Sequence, residues 1–149
     1  MITRSDNSSE RTRRLIKLCN DRLADAVDFQ LQCKHAVWNT TALDLRQLFD
    51  QVNKSVGVYT DRIAERVVEI GGVANATERV VPTWSRLLCE PDALCRNHAK
   101  TLATTLRSFV ELSRRAIDTC NEFSDFASAD MFTEIAHGVD KWHRTLAAV

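Results

Sequence analysis

Residues 43–70 constrain this chain more than any other stretch. Leu45, Leu48, Phe49, Val52, Val56, Tyr59, Ile63, Val67 and Ile70 recur mostly at steps of three and four, the pattern of one long helix with a single buried stripe. Such a helix cannot bury its stripe alone, so other helices must pack against it. On roughly the opposite side, at about 100° per residue, fall Asp50, Gly57, Asp61, Ala64 and Glu65, carboxylates set among small residues. That arrangement predicts a second contact surface.

The acids' spacing limits what that surface does. Asp50 and Asp61 lie about 16 Å apart along one helix, too far to share an ion within a chain. Across a two-fold axis, with a second copy running antiparallel, Asp50 of one chain approaches Asp61 and Glu65 of the other. An oxygen-rich cluster of this kind suits hard cations and iron.

The rest of the chain supplies the partners for that helix. After a polar arm, Ser8 or Ser9 is placed to cap a first helix reaching about Trp38, with Ile16, Cys19, Leu23, Ala26, Val27, Cys33 and Val37 on or near one side. Asn39, Thr40 and Thr41 break it, and so short a joint makes the first two helices antiparallel neighbours. Gly71 and Gly72 stop the central helix. Residues 73–90 are too long for a turn, yet Val80, Val81, Trp84, Leu87 and Leu88 are too apolar to be loose, which predicts a crossover carrying a short helix. Pro91 opens a third helix with its stripe at Leu102, Leu106, Phe109, Leu112, Ala116, Ile117 and Cys120. A break at residues 124–130 precedes a last helix through Phe132, Ile135, Val139, Trp142 and Leu146. Short, long and short connections between four helices describe an all-α, ferritin-like four-helix bundle, a single domain over residues 1–149 with a flexible arm at residues 1–14.

Twenty basic residues balance twenty acidic ones, a net charge of zero that excludes a strongly basic nucleic-acid binder. Residues 1–14 lack the apolar core of a signal peptide and no segment is apolar enough to span a bilayer, so a cytoplasmic protein without membrane partners is expected. Five cysteines without a close CxxC pair fit neither a disulfide framework nor a zinc site. Cys19, Cys33 and Cys120 lie near apolar stripes and read as buried thiols, whereas Cys89 and Cys95 straddle a helix start.

The segments LADAVDFQLQCKHAVWN, LFDQV, DRIAERVVEIGGVANAT and DMFTEIAHGVDKW together resemble the Dps family of mini-ferritins, over most of the chain from Leu23 to Trp142. The resemblance implies a hollow dodecamer in which iron(II) is oxidised, preferably by hydrogen peroxide, and stored as a ferric mineral. It also implies an oxidation site between two subunits, with ligands from a His before a Trp-Asn pair, from the His and Asp of His-Glu-Leu-Phe-Asp, and from the acids of Asp-x-x-x-Glu. Carried over, the acids are Asp50, Asp61 and Glu65, with Trp38 beside them. Both histidines are replaced, by Val37 and by Arg46, and the joint after Trp38 is shorter than the family pattern.

Arg46 has no lone pair to offer a metal and sits one turn before Asp50, so its guanidinium is expected to pair with that carboxylate. His35 lies two residues before Val37 and points roughly 160° away; His98, His137 and His143 are scattered on other helices. Glu122, Asp125, Asp130 and Glu134 are candidates for a pore lining, or, for Asp130 and Glu134, for favouring a helix start through its dipole. The arm carries Arg4, Arg11, Arg13 and Arg14 against Asp6 and Glu10, thin support for non-specific DNA binding except through many copies on one shell. The expected function is therefore a Dps-like mini-ferritin with iron oxidation weakened by the lost imidazoles, the enzyme activity left open. The alternative is a non-catalytic shell that binds DNA or serves a structural role.

Overall fold

The computed structural model describes residues 4–77, 85–87 and 97–149, and the described residues form four helices with no strand. They are α1 (Arg4–Asn39), α2 (Leu43–Glu69), α3 (His98–Glu122) and α4 (Phe126–Ala147). On α2, Phe49, Val52, Val56, Ile63 and Val67 are buried, and Leu45, Leu48, Tyr59 and Ile70 pack partly against them. Leu102, Leu106, Phe109, Ala116 and Cys120 of α3 and Phe132, Ile135, Val139 and Leu146 of α4 complete the same core. Each stripe read from the sequence is the buried face of its helix. None of the described helices is long and apolar enough to cross a membrane.

Helix α1 packs chiefly on α2, and α3 on α4, with α1–α3 and α2–α4 contacts joining the pairs. The directions follow from which ends meet. His35, near the end of α1, faces His98 at the start of α3. Arg66, near the end of α2, reaches Asp125 just before α4 at 2.9 Å. Helices α2 and α3 therefore run the same way, and the chain between them must travel the length of the bundle. This is the up-down-down-up order expected from connection lengths, with one long crossover. The short helix expected in the crossover of residues 73–90 and the helix start expected at Pro91 rest on residues 78–84 and 88–96, which lie outside the described residues; as described, α3 begins at His98.

Polar side chains of α1 tie down what is described of the crossover. Asn20 donates to the Val73 carbonyl at 3.1 Å and accepts from the Asn75 N–H at 3.0 Å. Asp28 accepts from the Ser85 hydroxyl at 2.8 Å, and Asp25 from the Arg86 N–H at 2.8 Å. The turn that starts the crossover needs glycine at one point: Gly71 has φ +93°, a left-handed conformation that costs other residues strain.

Helix α1 begins at Arg4, ahead of the start expected at Ser8 or Ser9, so much of the stretch read as an arm is helical. Glu10 pairs with Arg13 at 3.6 Å and Arg14 at 3.3 Å, and the Thr12 hydroxyl donates to the Ser8 carbonyl. These one-turn contacts each add a few tenths of a kcal/mol to a helix whose later turns are already anchored by packing.

Cys19, Cys33 and Cys120 are fully buried free thiols, as their place on the stripes required. Burial pushes Cys19 up to about 12, with Cys120 and Asp125 nearby adding to the effect. Cys120 is likewise pushed up to about 12, and burial raises Cys33 as well. The thiolate is the reactive form, so alkylation of Cys19 and Cys120 at pH 8 should run about a thousandfold slower in the native protein than in denaturant. Peptide mass spectrometry after timed iodoacetamide pulses checks this, and rapid native labelling at either position would contradict it.

Candidate metal centre

One ridge of α2 is turned away from the bundle. Gln47, Gln51, Lys54, Val58, Asp61, Glu65 and Val68 are all exposed and alternate in steps of four and three. Asp61 and Glu65 therefore stand one turn apart on a single line. Neither makes an ion pair among the described residues. Beside them, Ala64, Glu65, Val68, Glu69 and Ala74 line a shallow groove.

Asp50 lies off that ridge and is occupied, its carboxylate accepting from Lys54 at 2.7 Å. The expected Arg46–Asp50 pair does not form; Arg46 is exposed and Lys54 has taken its place. An acid one turn N-terminal to a base is the favoured orientation along a helix, and the reverse order, Arg46 before Asp50, is the weaker one. Gly57 also departs from expectation. A Cβ there would lie 3.0 Å from Gln30 Nε2, so its small size serves the approach of α1 and not an outer contact. Ala64 is partly buried against the core, and the outward face narrows to the ridge itself.

At the end of α1, Trp38 is 73% exposed while Val37 packs against the core. Within one chain the fold does not bring Asp50, Asp61 and Glu65 together, and no group of three His, Cys, Asp or Glu side chains fit to hold a metal occurs among the described residues. The residues suit a cation only in part. Asp61 and Glu65 offer carboxylates without ion pairs among the described residues, half of an oxygen-donor site, whereas Asp50 must first exchange Lys54 for the ion.

Of the acids considered for a pore, Asp125 and Glu134 are engaged within the bundle, while Glu122 and Asp130 are exposed. Glu134 accepts from Arg62 at 2.6 Å across α2 and α4. Arg66 holds Asp125 at 2.9 Å, the Ser128 hydroxyl at 2.8 Å and Glu69 at 2.9 Å, and Asp125 caps α4 through the Ser128 N–H at 3.1 Å. Burial works to raise the Asp125 carboxyl, but the Ser128 hydroxyl and N–H and the Arg66 guanidinium outweigh it, and it titrates below its ordinary value. A depressed carboxyl stabilises the fold above its unfolded pKa, and that stability is lost as pH falls through the folded value. Asp125→Asn should thus cost about 1–2 kcal/mol at pH 7. The gap between variant and parent in urea titrations should narrow as pH falls below about 4; a gap independent of pH would exclude this source.

Two features escaped the sequence reading. One is the Arg66–Asp125–Ser128 network, for which the Asp-x-x-Ser spacing at the break before α4 was an available capping signal. The other is the meeting of His35 with His98, ring centroids 5.9 Å apart, which no spacing along the chain announces. Burial, with a contribution from the His35 ring, lowers His98 from its ordinary value.

Comparison with known proteins agrees with this architecture. The ferritin-like domain family matches residues 16–149. A DNA protection during starvation protein of Agrobacterium fabrum is 29% identical over 144 residues, covering 93% of this chain and 89% of that one. Among solved structures, Dps from Thermosynechococcus elongatus superposes with a TM-score of 0.87 at 18% identity, covering 95% of this chain and 93% of the other. The Dps protein of Vibrio cholerae gives 0.85 at 15% identity, covering 93% and 90%. Fold, family match and relatives agree: the chain belongs to the ferritin-like domain family and is similar to the Dps proteins within it.

Proposed function

We propose that this chain is the subunit of a Dps-like shell, most simply a dodecamer, that takes iron(II) as substrate, oxidises it between subunits and stores the ferric product, so limiting oxidative damage. The observation that carries this reading is the pair Asp61 and Glu65, exposed, one turn apart and without ion-pair partners among the described residues. The same ridge carries Val58 and Val68, 59% and 61% exposed, apolar surface that a second copy of α2 would cover. In support, the Vibrio cholerae neighbour is described as a member of a broad superfamily of ferritin-like diiron-carboxylate proteins.

Oxidation by peroxide balances as two iron(II), one hydrogen peroxide and two protons giving two iron(III) and two waters, which removes both reactants of hydroxyl-radical formation. With Val37 and Arg46 in place of imidazoles, the site relies on carboxylates and water, and iron(II) is held more weakly than in a site with nitrogen ligands. The test is to load the protein anaerobically with iron(II), add peroxide, pass it over a sizing column and count iron per particle. The parent should retain iron well above one per subunit, and Asp61→Asn/Glu65→Gln at least about tenfold less. Iron at the level of an unrelated control would remove the proposal. The loss of both imidazoles favours one other reading, a shell without oxidation that coats DNA, as the name of the Agrobacterium fabrum relative suggests. Its mark is a DNA mobility shift at neutral pH that falls steeply with salt.

A further inference from the structure

We propose that His35 and His98 form a two-imidazole site for a borderline divalent transition-metal ion, zinc(II) or copper(II), where α1 ends and α3 begins. This is a different place and a different donor chemistry from the carboxylates of α2.

The separation of the two rings is compatible with one shared ion. The ring centroids are 5.9 Å apart and the rings stand at 72° to each other. A metal–nitrogen bond of about 2.0–2.1 Å puts the ion about 3.2 Å from each ring centroid, so two ligands at a tetrahedral angle have centroids about 5.2 Å apart. The rings need to close by less than about 1 Å, or to bind at a wider angle with no closure. They come from separate helices, so an ion would tie the end of α1 to the start of α3.

Packing alone does not account for the pair. His35 is exposed and His98 partly so, and neither belongs to the apolar core, so their contact buries little surface. The environment also leaves nitrogen lone pairs available. His98 is the first residue of α3, where the positive end of the helix dipole disfavours an imidazolium, and burial acts in the same direction. On the other ring, the Asn39 amide donates to the His35 carbonyl at 2.8 Å and lies 3.4 Å from Nδ1, where as a donor it favours the tautomer with the lone pair on Nδ1, so an ion bound at Nδ1 must displace that contact.

The surroundings leave room for water to complete the coordination. Asn39, Thr40, Asn97 and His98 lie along one groove at this end of the bundle. The Thr40 hydroxyl there is buried without a hydrogen-bond partner among the described residues, and water on a bound ion supplies one. Imidazole donors select zinc, copper or nickel over magnesium and calcium, which prefer oxygen.

The experiment uses the full chain, stripped with EDTA and titrated with copper(II), with affinity measured by zinc competition and coordination by electron paramagnetic resonance. The parent should take up one copper per chain whose spectrum carries two imidazole nitrogens. His35→Gln and His98→Gln should each lower affinity at least about tenfold and leave at most one imidazole; His137→Gln, on exposed α4 surface, should change neither. A parent spectrum with fewer than two imidazoles overturns the site without recourse to any variant. Unchanged binding in both variants, with metal-free melting curves matching the parent, overturns it as well.

Discussion

Asp25→Ala will cost the fold about 3–5 kcal/mol, the largest single loss expected outside the apolar core. The Asp25 side chain is fully buried and that of Arg22 only 6% exposed, and the guanidinium donates to the carboxylate at 2.6 Å. Burial pushes the carboxyl up, while Arg22, the Arg86 N–H and Ser85 pull it back. Removing the acid leaves Arg22 buried without its counter-charge and takes the acceptor from the Arg86 N–H. Both groups then carry a desolvation cost with nothing against it. Asp25→Asn keeps an acceptor but not the charge, and should fall between parent and alanine. Urea unfolding at pH 7 measures the series. Limited proteolysis should cut near Arg86 sooner in the alanine variant, because Asp25 anchors that part of the crossover to α1. A loss below about 1 kcal/mol would mean that Arg22 recovers water or another acid, and that the pair orients the crossover without stabilising it.

The apolar stripes were legible because helix period and burial are local properties of the sequence. Phe49, Val52, Val56, Ile63 and Val67 are buried in register with the pattern that announced them. Connection lengths then settled the directions of the helices. The start of α1 was less legible, since a polar run such as residues 4–14 turns helical through weak one-turn pairs and its attachment to an anchored helix, neither of which shows as apolar periodicity. At the candidate centre, the residue types were readable but their occupancy was not. Lys54 and Arg62 are both bases within reach of these acids in sequence, and that Lys54 and not Arg46 holds Asp50 follows from helix orientation preferences, a local rule. The His35–His98 contact and the Arg62–Glu134 bridge join residues far apart in sequence and depend on how helices rotate about their axes. A site joining Asp50 with Asp61 and Glu65 would need a second chain, because one helix holds them too far apart, and no pattern within one copy can decide it.

Helix rotation is also what makes Gly138 sensitive, and Gly138→Ala is expected to destabilise the protein by about 1–3 kcal/mol. Glycine inside a helix is ordinarily a weakness, and alanine there gains about 1 kcal/mol from propensity. Here a Cβ on Gly138 would overlap the Tyr59 hydroxyl oxygen and lie 2.8 Å from Cζ. Contact that close requires the Tyr59 ring to move, and the ring is the partly buried edge of the α2 stripe, so the clash outweighs the propensity gain. Tyr59→Phe removes the nearest atom but leaves the ring, and should relieve part of the penalty. Tyr59→Ala should relieve all of it and let the propensity gain show, reversing the sign of the Gly138→Ala effect. A double-mutant cycle by urea unfolding reads the coupling directly. Stabilisation by Gly138→Ala in the parent background would show that α4 yields at no cost. The effect should also reach the ridge. Tyr59 precedes Asp61 by two residues, so a displaced ring shifts or turns the part of α2 that presents Asp61 and Glu65. If those acids meet a second chain, Gly138→Ala will lower iron retention although it touches no ligand, and Tyr59→Phe will restore part of it.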